Sequence, residues 1–257
     1  DTANAAKIAA QGMDRVTMLD GSDPPQGWTG KMWAVAQGIT AATAQFPSAT
    51  YYLLTDADIA HHPENLTELM AKELDGKLAL VSLMVRLRCE TWWEHLLMPA
   101  FVFFFQKLYP FSWVNNPDKK TAGAAGGCML VKRSALEKAG GIEKIKGEII
   151  DDCALAKLLK KSDPIWLGLT RSTSSLRGYI TLPDVWRMVC RTAFVQLNHS
   201  ALKLAGTVIG MVIIYLVPIA SILAGFFSQE FEMLTVGLAA WAFMAVAYTP
   251  TLRLYSR

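Results

Sequence analysis

The sequence predicts an α/β fold, with a mostly parallel sheet and flanking helices, followed by a transmembrane helical hairpin. Through residues 1–200, short apolar runs alternate with segments of helical periodicity, which is the pattern of an α/β domain. Beyond residue 200 the chain holds two long stretches without a charged residue. The composition agrees, because 52% of the residues are hydrophobic and 18% are charged, where soluble domains carry about 25% charged residues.

Five short runs are the predicted strands, because each is nearly continuous in apolar residues, as a strand covered on both faces should be. They span residues 15–19, 51–55, 78–85, 128–131 and 165–169. Helical spacing of apolar residues predicts helices over about 31–45, 63–74, 134–139 and 152–161.

Residues 204–227 and 233–252 are predicted to cross a membrane as a hairpin, because about 20 apolar residues span the hydrocarbon core as a helix. Pro218 predicts a kink in the first span. Basic residues flank the outer ends of the hairpin, whereas the connecting loop carries only Glu230 and Glu232. This asymmetry predicts a multi-pass inner-membrane protein whose domain over residues 1–200 is cytosolic.

Residues 92–113 are rich in aromatic side chains, but Glu94, His95 and two prolines interrupt them. This composition predicts an interfacial helix or helix pair in the headgroup layer. A buried core helix is the alternative, because short apolar runs do not separate the two.

Two function classes are disfavoured by charge and cysteine content. The net charge of +3 is too small to indicate a nucleic-acid partner. The four cysteines are scattered singly, so neither a zinc site nor a disulfide scaffold is predicted.

Asp56 and Asp58 directly follow the predicted strand 51–55, where open α/β sheets place ligands. Two carboxylates there suit Mg²⁺ or Mn²⁺ together with substrate phosphates. A polar loop without a metal is the alternative. His61 and His62 come next, and either they add a ligand to the metal or phosphate or they belong to a loop that caps the following helix.

Four further positions are candidates for the same pocket. Lys31 begins a predicted helix and could pair with a diphosphate, although a surface turn explains it equally well. Gly126 and Gly127 would let the backbone approach a ligand, or merely allow tight packing. Asp151 lies beside Asp152 at a predicted helix start, where capping is one explanation.

Asp152 is the candidate general base, which would remove a proton from an attacking hydroxyl. Arg187 and Arg191 lie one helical turn apart, so their side chains share a face. They could neutralise a diphosphate or contact lipid headgroups.

The ordered motifs GWTGK, TDAD, GAAGGCMLVKR and IDDCALA, with an arginine-bearing helix before a membrane hairpin, resemble the glycosyltransferases of family 2. The stretch VSLMVRLRCETWWEHLLMPAFVFFFQKLYPF is most similar to the hopene-associated subgroup. The likeness covers nearly the whole chain. It implies a GT-A, Rossmann-like fold and an inverting enzyme of hopanoid biosynthesis that transfers a hexosyl group from a nucleotide-sugar, with UDP expected, to a lipid hydroxyl.

The resemblance also implies roles for individual residues. Asp56 and Asp58 would hold the divalent cation and the donor diphosphate, Lys31 would lie near the nucleotide, and Asp152 would be the base. Arg191 can occupy the arginine position of the QxxRW motif, in which Met188 replaces the glutamine and Thr192 the tryptophan.

The family's first strand, which ends in an acidic residue, is not found in the sequence, so we expect an incomplete chain. Two other functions stay open: a non-catalytic membrane scaffold of a lipid pathway, and a polysaccharide synthase subunit.

Overall fold

The computed structural model describes residues 2–255. The helices α1–α11 are Thr2–Ala9, Gly30–Gln45, Asn65–Gly76, Trp92–Leu108, Phe111–Val114, Arg133–Lys138, Asp151–Leu159, Leu182–Gln196, Ala201–Met211, Val217–Ser228 and Phe231–Tyr255. The strands β1–β5 are Tyr51–Thr55, Ile59–Ala60, Leu80–Arg86, Cys128–Lys132 and Ile165–Ser175. A 3₁₀ helix covers Ile142–Ile145, and a π-helical turn covers Val212–Leu216 between α9 and α10.

The five strands form one mixed sheet in the order β1-β4-β3-β5-β2. In the described part of the chain only β3 and β5 pair in parallel, whereas β4 runs against both of its neighbours. The prediction of a mostly parallel sheet is therefore wrong. A continuous apolar run reports that a strand is covered on both faces, and it does not report the strand's direction.

Two of the strand predictions differ from the structure. Residues 15–19 form no strand in the described chain, and their side chains Val16, Met18 and Leu19 are exposed. An apolar run becomes a strand only where a partner strand is available to it. Conversely, β5 extends through the polar residues 170–175, which pair at the end of the strand with β3 and with the two-residue β2.

Hydrophobic cores lie on both faces of the sheet. Along β3 the buried side chains alternate between them, with Leu80 and Met84 on the face covered by α2 and α7, and Val81, Leu83 and Val85 on the face covered by α3. This period of two is what a strand requires.

Helix α4 packs against the sheet domain and against the last helix, α11. Met98 and Val102 on one face are fully buried. On another face, Phe103 contacts the ring of Tyr248 with centroids 5.2 Å apart. Residues 92–113 thus form the predicted helix pair, α4 and α5, and the placement of that pair in a headgroup layer stays a prediction.

Two C-terminal helices are long and apolar enough to cross a membrane, and they span Ala201–Ser228 and Phe231–Tyr255. The two helices pack closely. A Cβ at Gly225 or Gly237 would collide with the backbone of the opposite helix, so the absence of a side chain at these glycines allows the close approach. A π-helical turn lies just before Pro218 and accommodates the hydrogen bond that proline cannot donate. The kink predicted at Pro218 stays a prediction.

Candidate active site

Lys31 lies in the first turn of α2. The Thr29 side chain caps this helix by accepting a hydrogen bond from the Met32 N–H. The Thr29 N–H donates in turn to the Lys146 carbonyl at 2.9 Å, which fixes the loop before α2 against the segment that leads to α7. Gly27 has a φ of +85°, a conformation that favours glycine. This local structure directs Lys31 toward the start of α7.

The ammonium group of Lys31 lies between two carboxylates from distant parts of the chain. Its Nζ is 3.2 Å from Asp56 Oδ1 and 3.1 Å from Asp151 Oδ2. Burial alone would lower the pKa of Lys31, but the charges of Asp151 and Asp56 raise it overall. Lys31 is therefore held as a cation at the end of β1.

Asp152 faces the same place from the start of α7. Its Oδ2 accepts a hydrogen bond from the Gly126 N–H at 2.8 Å, and its Oδ1 accepts one from the Cys153 N–H at 2.7 Å. Desolvation raises the pKa of Asp152, as does the charge of Asp151, and the result is a pKa of about 6. A carboxyl group with this pKa is ionised at neutral pH and is basic enough to accept a proton.

The two candidate glycines have different roles. A Cβ at Gly126 would lie 3.4 Å from Asp152 Oδ2 and 3.6 Å from Lys31 Nζ, so this backbone lies within the cluster. A Cβ at Gly127 would instead meet Val85 and Ile59 at 3.1 and 3.2 Å, which is a packing contact. Gly127 therefore fits the packing alternative, and the approach of a ligand to the backbone at Gly126 stays a prediction.

Asp56 and Asp58 both influence the ionisation of Tyr179, which follows β5. Burial raises the pKa of Tyr179 and the negative charges of Asp58 and Asp56 add to the rise, whereas the positive charges of Arg177 and Arg191 lower it. That Asp56 and Asp58 hold one cation together stays a prediction. Within residues 2–255 no group of three or more His, Cys, Asp or Glu side chains could hold a metal unaided. Two carboxylates nevertheless fit Mg²⁺ or Mn²⁺, because phosphate oxygens and waters usually complete the coordination of such an ion.

A cleft of about 400 Å³ opens beside this cluster. Lys31, Asp56, Gly126 and Asp151 supply its polar wall, and side chains of α2, β1 and the 3₁₀ helix supply its apolar wall. A volume of this order suits a small ligand, since ligand pockets commonly measure about 300–1,000 Å³.

His61 and His62 have structural partners. His61 lies between Thr55 and Asn65, with its Nε2 2.8 Å from Thr55 Oγ1 and its Nδ1 3.1 Å from Asn65 Nδ2. His62 Nδ1 accepts a hydrogen bond from the Glu64 N–H, just before α3. These contacts favour the alternative in which the two histidines belong to the loop that caps the helix.

Arg191 lies outside the Lys31 cluster. It lines a second pocket with Arg177, Tyr179 and Arg187. The structure thus brings Lys31, Asp56, Asp151, Asp152 and Gly126 together, and a contact of Arg191 with the donor diphosphate stays a prediction.

The segment that carries Tyr179 was not identified from the sequence. The Leu176 N–H donates to the Asp58 carbonyl at 2.7 Å, which joins this segment to the Asp56 loop. The Tyr179 N–H donates to Glu94 Oε1 at 2.7 Å. The only sequence signal would have been the polar end of β5, which continues into Arg177 and Tyr179.

Glu94 is fully buried at the start of α4, and its carboxylate accepts three backbone hydrogen bonds. Its Oε2 accepts from the N–H groups of Glu90 and Thr91, in addition to the Tyr179 contact at Oε1. Burial alone would raise the pKa of Glu94, but these backbone hydrogen bonds lower it overall. The Glu94 carboxylate is therefore ionised, and in this form it holds the Tyr179 segment in place.

Glu94→Gln is expected to lower the free energy of unfolding by about 2 kcal/mol, because the new amide would point a donor at a backbone donor in a buried place. Thermal unfolding of the full chain in detergent measures the effect. Glu90→Gln is the matched control. Arg88 lies 3.8 Å from the Glu94 carboxylate and 2.6 Å from that of Glu90, but Glu90 is 62% exposed. An equal loss in both variants would contradict the role of the buried carboxylate.

The α/β domain, its carboxylate-lined cleft and its two long apolar helices belong to a glycosyltransferase, as comparison with known families shows. The chain belongs to glycosyl transferase family 21, which matches residues 25–256. No curated protein matches the chain.

Proposed function

We propose that this chain transfers a sugar from a nucleotide-diphosphate donor to the hydroxyl group of a lipid at the cytosolic surface of a membrane. The observation that carries the proposal is the convergence of Lys31, Asp56, Asp151 and Asp152 at one end of the sheet. A UDP-sugar donor, a hexosyl group, a hopanoid-type acceptor and a GT-A fold are the finer parts of the proposal, and they rest on the resemblance of the motifs to family 2.

The donor would lie in the cleft with its diphosphate toward Asp56, Asp58 and Lys31. When bound, Mg²⁺ or Mn²⁺ held by Asp56 and Asp58 supplies positive charge to the leaving diphosphate. Lys31 adds a second positive charge from the side of α2. Gly126 leaves room for a ligand beside Asp152, because it places no side chain there.

The reaction would be a single inverting displacement. The acceptor oxygen attacks the anomeric carbon of the sugar, a new C–O bond forms, and the bond from that carbon to the diphosphate oxygen breaks with its electron pair. The proton of the acceptor hydroxyl passes to the carboxylate of Asp152. The two hydrogen bonds from Gly126 and Cys153 hold this carboxylate in place.

A lipid acceptor is supported by the long apolar helices that follow the domain. Helix α8 precedes them and packs on α4, with the Tyr109 hydroxyl donating to Gln196 at 2.8 Å. A hydroxyl group at the membrane surface would therefore be close to the domain that carries Asp152.

The test is incubation of membranes that contain the full protein with a panel of nucleotide sugars and lipid alcohols, with and without EDTA. We expect release of nucleoside diphosphate together with a glycosylated lipid, and loss of both on chelation. A non-catalytic scaffold would yield neither product with any donor.

The rate of transfer is expected to fall on the acid side of about pH 6. The base must be ionised, and the pKa of Asp152 is raised to about 6, so kcat/KM should drop about tenfold for each pH unit below that value. The pH profile of kcat/KM measures this directly. A profile that stays flat down to pH 4.5 would contradict the assignment of Asp152 as the base.

A further inference from the structure

Three polar side chains next to the loop that carries Asp56 and Asp58 form a continuous chain of hydrogen bonds. Thr55 ends β1 directly before the loop, His61 follows the two-residue strand β2, and Asn65 begins α3. The Thr55 Oγ1 lies 2.8 Å from His61 Nε2, and His61 Nδ1 lies 3.1 Å from Asn65 Nδ2. The contact between Thr55 and His61 therefore joins the two ends of the segment that holds both carboxylates.

The Thr55 hydroxyl also reaches the segment that faces Asp152. Thr55 pairs with Cys128 across the sheet, and its Oγ1 donates to the Gly127 carbonyl at 2.9 Å. The preceding Gly126 N–H donates to Asp152 Oδ2 at 2.8 Å. The glycine segment is thus held by Thr55 at one residue and by the candidate base at the next.

The direction of each hydrogen bond in this chain follows from the single proton of the Thr55 hydroxyl. That proton is directed at the Gly127 carbonyl at 2.9 Å, or at the Asp56 carbonyl at 3.2 Å. Because the proton is used there, Thr55 Oγ1 accepts from His61, which assigns the ring proton to Nε2. The His61 Nδ1 then accepts from Asn65 Nδ2. His61 is therefore the donor that orients the Thr55 hydroxyl toward the glycine segment.

Asn65 anchors the chain because it is buried. This residue is 1% exposed, whereas Thr55 and His61 are exposed. Its Nδ2 also donates to Cys128 Sγ at 3.5 Å, and its Oδ1 has no hydrogen-bond partner within residues 2–255. The buried amide thus interacts through its donor nitrogen, and this donor holds the imidazole ring in place.

We propose that His61 is a positioning residue of the transferase, which acts through Thr55 on the Asp56 loop and on the glycine segment beside Asp152. Both ring nitrogens of His61 have partners, so the residue serves the loop and not the cation. Its function is to keep the carboxylates that follow β1 in register with the base at the start of α7. The kinetic effect rests on the proposed function, whereas the link between the two segments does not.

The test separates the two ring nitrogens of His61. In His61→Gln the amide nitrogen can replace the imidazole Nε2 and still donate to Thr55. In His61→Asn the shorter amide can replace Nδ1, but it does not reach Thr55. His62→Asn is the matched control, because it removes the neighbouring imidazole, whose Nδ1 accepts from the Glu64 N–H before α3.

We expect His61→Asn to lower kcat/KM for sugar transfer by about fivefold to tenfold, which is the effect of one lost hydrogen bond. His61→Gln and His62→Asn should stay within about twofold of the original protein. Thr55→Val removes the hydroxyl and completes a double-mutant cycle. Since His61 acts through Thr55, the double variant with His61→Asn should lose no more than Thr55→Val alone. Additive losses would overturn the proposal, as would equal losses in His61→Gln and His61→Asn.

Hydrogen exchange of backbone amides tests the same link without turnover. The full chain in detergent, without donor or metal, is exchanged, and mass spectrometry follows peptides that cover residues 55–60 and 124–128. We expect exchange about fivefold to tenfold faster in both segments for His61→Asn and for Thr55→Val, and unchanged rates for His61→Gln and His62→Asn. Faster exchange in residues 55–60 alone, or in neither segment, contradicts the link to the glycines. If the exchange result holds but the original protein transfers sugar from no donor, the proposed function fails and the link stands.

Discussion

Asp152→Asn is expected to lower the rate of sugar transfer by about 10²–10⁴-fold, which is the usual contribution of a general base. The amide cannot accept the proton of the acceptor hydroxyl, although it has nearly the same shape as the carboxylate. Binding of the donor should change little, because Lys31 and Asp56 stay in place. The measurement is kcat with saturating donor, together with the dissociation constant of the donor.

The variant also needs a control for folding. The amide nitrogen introduced by Asp152→Asn would point at the N–H of Gly126 or of Cys153, so a local rearrangement is expected. Asp75→Asn makes the same chemical change at a side chain that is 81% exposed on α3, and it should leave kcat unchanged. A loss of kcat of less than tenfold in well-folded Asp152→Asn protein would exclude Asp152 as the base.

The sequence was sufficient to predict part of the cluster, because Lys31, Asp56 and Asp152 each have a local signal, whereas Arg191 lies in a separate pocket. Asp56 follows an apolar strand, and Lys31 and Asp152 lie at the starts of helices. In an α/β domain, strand ends and helix starts gather at the edges of one sheet, so these residues were expected to be neighbours. The contacts of Lys31 with Asp56 and Asp151 agree with that expectation.

Features that depend on long-range pairing could not be predicted in this way. The hydrogen bond from Tyr179 to Glu94 joins residues 85 positions apart, and nothing near either residue in the sequence indicates it. The direction of β4 is a similar case, because burial of Cys128–Lys132 on both faces is the same in a parallel and an antiparallel sheet. The run at 15–19 has the composition of a strand, yet composition does not supply a partner.

Glu94 also illustrates how one sequence feature can have two causes. In the sequence it interrupts an aromatic segment and suggests a helix at a membrane surface. In the structure its carboxylate is buried and takes part in the capping box of α4 with Thr91. The sequence does not distinguish a buried charge at a helix start from an exposed charge at a membrane surface, because the difference lies in the tertiary contacts of the residue.

Asp58→Asn is expected to lower kcat/KM by about 10²–10³-fold at fixed Mg²⁺ or Mn²⁺, because several kcal/mol of charge stabilisation on the leaving diphosphate depend on the cation. Unlike Asp56, Asp58 has no ion pair with Lys31 in the described chain, so its replacement leaves that contact intact. The loss should therefore reflect the cation and not a rearranged Lys31. Titration of activity with the metal measures it, and the concentration for half-maximal activity should rise.

Asp56→Asn should behave differently, and the difference separates the two carboxylates. Lys31 would lose one of its two ion pairs in the described chain and keep the one with Asp151, so donor binding and metal dependence are both expected to change. Asp118→Asn, in an exposed loop, is the control for the chemical change itself. If Asp58→Asn shows the same metal dependence as Asp118→Asn, the carboxylate after β1 serves the loop alone, and the cation must be sought elsewhere in the cleft.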